Sequence, residues 1–167
     1  QDNIITNINE IYTIGFKVLV LAVSENDWDN FREAVKFTVI YAKKQGMEVI
    51  INLWGFAGCF GGESASFFLT NHPETRQTLN TGEKVPQACL NHPELKSFLK
   101  RVITEMALVL NPDGFFLDEP HFFYNPVQDK KACFCETCLK LSRENKLDLS
   151  NEEDLAQHKN QSLVSFC

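Results

Sequence analysis

Two apolar runs separated by a helical stretch constrain the fold of this chain most. Lys17-Val18-Leu19-Val20-Leu21-Ala22-Val23 is continuous and rich in β-branched residues, the pattern of a parallel-sheet strand buried on both faces. Glu48-Val49-Ile50-Ile51-Asn52-Leu53-Trp54 reads as a second strand. Between them a helix is expected from about Asn30, whose side chain would cap it while Glu33 answers three positions later. Phe31, Ala34, Val35, Thr38, Val39 and Ala42 form its inner stripe, and Gly46 ends it. Ile4, Ile5, Ile8, Ile11 and Tyr12 give an earlier helix, closed by Gly15.

Gly55 to about Leu90 is irregular, and so long a connection is either functional or contains short helices of its own. Asn91 then opens the clearest helix, with Pro93 in its first turn and Glu94 completing a capping-box-like pair with Asn91. Leu95, Phe98, Leu99, Val102, Ile103, Met106, Ala107 and Leu110 make its apolar face, and Asn111-Pro112-Asp113-Gly114 terminates it. A third strand, Phe115-Phe116-Leu117, runs into Asp118-Glu119-Pro120. Further helices are expected from Glu136 to about Asn145 and beyond a cap formed by Ser150 with Glu153. Strands alternating with helices define an α/β fold of βαβ units, and right-handed crossovers put the helices outside a parallel sheet.

A net charge of −6 and the lack of any Lys/Arg-rich run argue against a nucleic-acid partner. No apolar stretch approaches the roughly 20 residues that span a bilayer, and no secretory signal pattern is visible at the N-terminus. Three of the six cysteines crowd into Cys133-Phe134-Cys135-Glu136-Thr137-Cys138. Such spacing reads as metal binding rather than a disulfide framework, which favours a reducing, cytoplasmic setting.

Thiolates bind zinc tetrahedrally, and a structural site closes with four protein ligands. Cys133, Cys135 and Cys138 supply three from one tight turn; Cys89, Cys59, Cys167 or a histidine supplies the fourth. Cys89 is preferred because it sits just before the helix leading into the third strand. The competing reading is a redox cluster or a set of buried thiols.

In a parallel α/β barrel, active-site groups come from the C-terminal ends of strands. Here those ends run into Ser24-Glu25, Trp54-Gly55 and Asp118-Glu119-Pro120-His121. Glycosidases need paired carboxylates, one to protonate the leaving oxygen and another to attack or to activate water. Glu119 is the candidate acid, and Trp54 offers a ring for a sugar's apolar face. Asp118 and Glu119 serve equally well, on spacing alone, to cap or salt-bridge the following loop. His72 and His92 each precede proline and read as structural; His121 either binds substrate or holds the loop. The Gly58–Gly62 segment lacks a phosphate-binding pattern, and Asn160-Gln161-Ser162 is a glycosylation sequon of the kind that occurs by chance.

Over residues 85 to 145 these motifs resemble those of glycoside hydrolase family 42 β-galactosidases. Members of that family carry an Asn-Glu pair at the end of the fourth barrel strand, with the Glu as acid/base. A Cys-x-Cys-x-x-Cys zinc cluster follows, and an upstream cysteine in a Cys-x-Asn-Ser-Pro-like segment completes it. Cys89-Leu90-Asn91-His92-Pro93, Asp118-Glu119 and Cys133, Cys135 and Cys138 look like those three elements. The resemblance implies a structural zinc on Cys89, Cys133, Cys135 and Cys138, and Glu119 as general acid/base. Asp118 stands where the family has the asparagine that holds the sugar 2-hydroxyl. The Phe115–His121 stretch and the Gly61-Gly62-Glu63 loop look more like uncharacterised glycosidase-like barrels. Candidate substrate-binding residues are accordingly Asp118, His121, Trp54, Glu25 and Glu63.

The implied fold is a TIM (β/α)₈ barrel, which takes about 250 residues. Residues 1–167 would form a single partial barrel domain, about strands two to four, with a zinc-binding loop at about 89–138. The nucleophile of a retaining mechanism would lie on the seventh strand, outside this sequence. Either the remainder of a longer protein or further copies of the chain would close the sheet. The expected partner is a carbohydrate substrate. The alternative is a non-catalytic, zinc-stabilised carbohydrate-binding or assembly module. Catalytic zinc is disfavoured, because four thiolates leave no open coordination position.

Overall fold

A computed structural model describes residues 2–166; Gln1 and Cys167, one of the alternative fourth ligands, lie outside the described residues. Helix α1 (Asp2–Thr13) leads to strand β1 (Val18–Val23), then α2 (Glu25–Asn30), α3 (Arg32–Lys44) and β2 (Glu48–Leu53). The long connection holds α4 (Phe67–Asn71) and the hairpin β3 (Arg76–Thr78) and β4 (Lys84–Ala88). Helix α5 (Pro93–Leu110) precedes β5 (Gly114–Phe116). A small hairpin, β6 (Tyr124–Asn125) and β7 (Lys130–Lys131), then leads to α6 (Glu136–Glu144) and α7 (Glu152–Phe166).

The main sheet has the order β1-β2-β5, all parallel. Ala22, Asn52 and Phe116 lie side by side across it. Helix α3 packs on β2, whose Val49, Ile51 and Leu53 are fully buried, and α5 packs against α3 in the same core. Leu95, Leu99, Val102, Met106 and Leu110 supply the buried stripe of α5, each side chain contributing about 2 kcal/mol by burial.

Much of the opposite face is open. Val18, Val20 and Phe116 are 47%, 55% and 48% exposed, although the apolar continuity of β1 predicts burial on both sides. Only toward the middle of this face is the sheet covered, at Asn52, which is 6% exposed. Strands in sequential order with helices on one side only are what a segment of a parallel barrel requires, since its other face is the barrel interior. The three-stranded sheet is consistent with such a segment; among the described residues it does not close into a barrel.

Three helix caps differ from expectation. Ser24, not Asn30, starts the helical region: its hydroxyl accepts from the Asp27 N–H, and Asp27 accepts from the Ser24 backbone. The chain then kinks at Phe31, and Asn30 only donates to Asn26 one turn back. His92, not Asn91, caps α5 by accepting from the Glu94 N–H. Asn151, not Ser150, accepts from the N–H groups of Glu153 and Asp154 at the start of α7. Among the described residues, no helix is long and apolar enough to cross a membrane.

Candidate metal centre and strand-end site

The hairpins position the cysteines. Cys89 follows β4 directly, its N–H donating to the Thr75 carbonyl. The segment after β7 docks on the β3 side through a Leu79–Ala132 bridge and a Phe134 N–H donated to the Thr78 carbonyl. Cys133 lies in that segment, Cys135 occupies the N-cap position of α6, and Cys138 sits in its first turn. The sulfurs of Cys89, Cys133, Cys135 and Cys138 all lie within 4.8 Å of one another. Cys89–Cys138 and Cys89–Cys135 are 3.4 and 3.5 Å apart, and none of the four is in a disulfide. A tetrahedron with metal–sulfur bonds of about 2.3 Å has edges of about 3.8 Å, so these sulfurs need little movement to enclose an ion.

The electrostatics agree. Hydrogen bonding with Cys133, and then with the other two sulfurs, drives the Cys89 thiol far upward and holds that of Cys135 far down. Cys138 is pushed up by its bonds to Cys133 and Cys135. Crowded buried thiols oppose successive deprotonation, an effect a multivalent cation would reverse. The four buried cysteines could therefore hold a metal ion. Cys59 is elsewhere, its thiol raised by burial and directed at the Phe56 carbonyl.

The strand ends form a second constellation. After β2 the chain turns so that the Gly55 N–H donates to the Gly61 carbonyl, and the Gly61 N–H donates to the Asp118 carbonyl at the end of β5. Gly62, at φ +108°, passes so close to Trp54 that a Cβ would lie 2.5 Å from the indole. A side chain there is excluded on both counts. The Gly61–Gly62 segment thus joins Trp54, 40% exposed, to Asp118, whose carboxyl packs against Gly61. Glu63 lies exposed on the same loop.

Glu119 is exposed and adopts φ +43°, a left-handed conformation that costs a non-glycine residue about 1–2 kcal/mol. Among the described residues its carboxylate has no hydrogen-bonding or ionic partner. Its backbone is held tightly. His121 Nδ1 donates to the Glu119 carbonyl at 2.8 Å while Nε2 accepts from the Gln87 amide at 3.0 Å, so the contacts select one tautomer. The His121 N–H also donates to the Cys59 carbonyl. Gln77, fully buried, donates to the carbonyls of His121 and Ala88 and accepts from the Phe123 N–H. Strain maintained by such a network is a feature of functional sites.

Glu25 is placed differently from the other candidates. It is 4% exposed, and its carboxylate accepts from the N–H of Ala57, the hydroxyl of Ser66 and the N–H of Phe68. These bonds pin both ends of the Phe56–Phe68 loop onto the start of α2. His72 contacts Glu74 near the surface. Sequence reasoning missed Gln77 and Gln87, because nothing in the pattern pairs a hairpin glutamine with a loop 44 positions away.

No family model matches the chain, and no curated protein matches it. Among solved structures, it is similar to the crystal structure of the alpha-galactosidase from Lactobacillus brevis, with a TM-score of 0.51 and 16% sequence identity. The likeness covers 74% of this chain and 20% of that one, so the chain spans about a fifth of that enzyme's length. At this identity the likeness concerns the fold alone. It supports an α/β fold like that of the matched part of that structure, with which the parallel sheet and its one-sided helices agree.

Proposed function

We propose that this chain is one part of the catalytic (β/α)₈ barrel of a retaining glycoside hydrolase, with Glu119 as general acid/base and a structural zinc in the four-cysteine clamp. The observation that carries the reading is Glu119 itself. It is an exposed carboxylate without a protein partner, presented from a parallel strand end on a strained backbone that Gln77, Gln87 and His121 hold in place. The resemblance to family 42 over residues 85 to 145 adds the acid/base assignment and the metal.

In the first step Glu119 gives its proton to the glycosidic oxygen while a carboxylate from outside this chain attacks the anomeric carbon and the bond to the leaving group breaks. In the second, Glu119 takes a proton from water, which displaces that carboxylate from the sugar. Trp54 stacks on the sugar ring, Asp118 and Glu63 meet its hydroxyl groups, and His121, with both ring nitrogens engaged, positions the Glu119 loop. Cys89, Cys133, Cys135 and Cys138 would hold the zinc, which would offset part of the thiolates' charge and cross-link the hairpin to α6; four sulfur ligands leave it no place in the reaction. The open face bearing Val18, Val20 and Phe116 packs against the remainder of the barrel, from a longer polypeptide or a second copy.

In the full-length protein, Glu119→Gln should lower turnover of an aryl glycoside by about 10²–10⁴-fold, the loss growing as the leaving group becomes more basic. Sugar affinity should be retained. Unchanged turnover rejects the assignment, and binding without any turnover by the unmodified protein points to a carbohydrate-binding module instead.

A further inference from the structure

We propose that Asn91 is a positioning residue for the metal clamp, donating to the Cys138 sulfur and coupling metal loading to the docking of α7. This deepens the reading of the four cysteines as a metal site and rests on it. Asn91 is 7% exposed. Its Nδ2 lies 3.3 Å from Cys138 Sγ and 2.8 Å from Ser162 Oγ. The Ser162 hydroxyl already donates its hydrogen to the His158 carbonyl at 2.7 Å, so toward Asn91 it accepts. The two hydrogens of the amide are thereby assigned, one to the sulfur and one to α7. His158 Nε2 stands beside the same nitrogen at 3.5 Å, a distance of contact rather than a strong bond.

Two physical arguments give this arrangement a purpose. Four thiolates around a divalent ion leave a net negative charge in a buried site, and an N–H directed at sulfur offsets part of it. Helix α7 packs Leu155, Leu163 and Phe166 against the core, and the Phe166 ring centroid lies 5.9 Å from that of Phe60. Its fully buried residues are Leu155, His158 and Ser162, two of them polar. Beside these apolar contacts the buried polar groups need partners, and the one Asn91 provides to Ser162 is shared with a metal-ligating sulfur. Because His92 performs the capping of α5, the Asn91 side chain is free for this role.

The test uses Co(II) bound to the full-length protein. Asn91→Leu keeps the volume and removes the donor, and Asn91→Asp keeps the shape while turning an acceptor toward the sulfur. Both should weaken Co(II) against a competing chelator by about 10- to 100-fold. Both should also move the sulfur-to-cobalt charge-transfer band to lower energy, since a thiolate that loses its hydrogen bond holds its electrons less tightly. Ser162→Ala should leave the band in place while speeding amide exchange over residues 152–166. In the unmodified protein, removing the metal should speed that exchange as well. Unchanged affinity and band energy in both Asn91 variants, or exchange in α7 indifferent to metal, would overturn the proposal with the metal site intact. Absence of thiolate bands in the unmodified protein overturns the metal reading and this proposal with it.

Discussion

Glu25 lies just beyond a strand end, where a substrate ligand is expected, yet its contacts are those of an anchor. Replacing it by alanine removes the acceptor for three donors at 2.7–2.8 Å. The Ala57 and Phe68 N–H groups belong to buried residues, and each unsatisfied donor costs about 1–3 kcal/mol. Glu25→Ala should therefore destabilise the full-length protein by about 4 kcal/mol, read from chemical denaturation midpoints. Glu25→Gln is more discriminating. Its single carbonyl oxygen can serve the side shared by Ala57 and Ser66, but its amide then faces the Phe68 N–H, donor against donor. A loss of about 2 kcal/mol is expected, with faster amide exchange concentrated between Phe56 and Phe68. If both variants keep full stability while sugar affinity falls, Glu25 is a substrate ligand and the anchoring argument is wrong.

Two other consequences can be measured directly. Val20→Lys places a charge on the open sheet face, so in the full-length protein it should cost about 3 kcal/mol or more if that face is the barrel interior, whereas Val164→Lys, at a site 80% exposed, should stay within about 0.5 kcal/mol; equal effects would contradict the partial-barrel reading. Asp113 accepts from the Val49 N–H and pairs with Lys43, which hold its carboxyl below the ordinary carboxylate range. A folded-state value below the unfolded one gives stability that is complete above that range and lost as pH falls through the lower folded value. Asp113→Asn should flatten this acid limb, and an unchanged limb on acid titration would exclude the group as its source.

Much of the fold was legible because burial leaves a periodic trace. The runs at Val18–Val23 and Glu48–Leu53 became adjacent parallel strands, and the stripe from Leu95 to Leu110 became the buried face of α5. Local chemistry was harder to assign. Ser24 with Asp27, and Asn30 with Glu33, have the same spacing, and only the kink at Phe31 decides that the first pair starts a helix. Asn91 carries the pattern of a cap, but its amide is used by a sulfur and a serine 47 and 71 positions away. The clamp was readable from thiol spacing, whereas the open face of β1 was not, since a strand buried in a closed barrel and one awaiting its cover share the same sequence.

The central claim is that Glu119 acts as acid/base opposite a nucleophile supplied from outside this chain. Azide rescue tests it most directly. In the full-length protein, Glu119→Ala should turn over a dinitrophenyl glycoside slowly, because the leaving group needs no proton while the intermediate awaits a base. Azide, which attacks without base assistance, should restore the rate and yield a glycosyl azide with the substrate's anomeric configuration. A glycosyl azide of inverted configuration would make Glu119 the nucleophile, and unimpaired turnover without azide would remove it from the reaction.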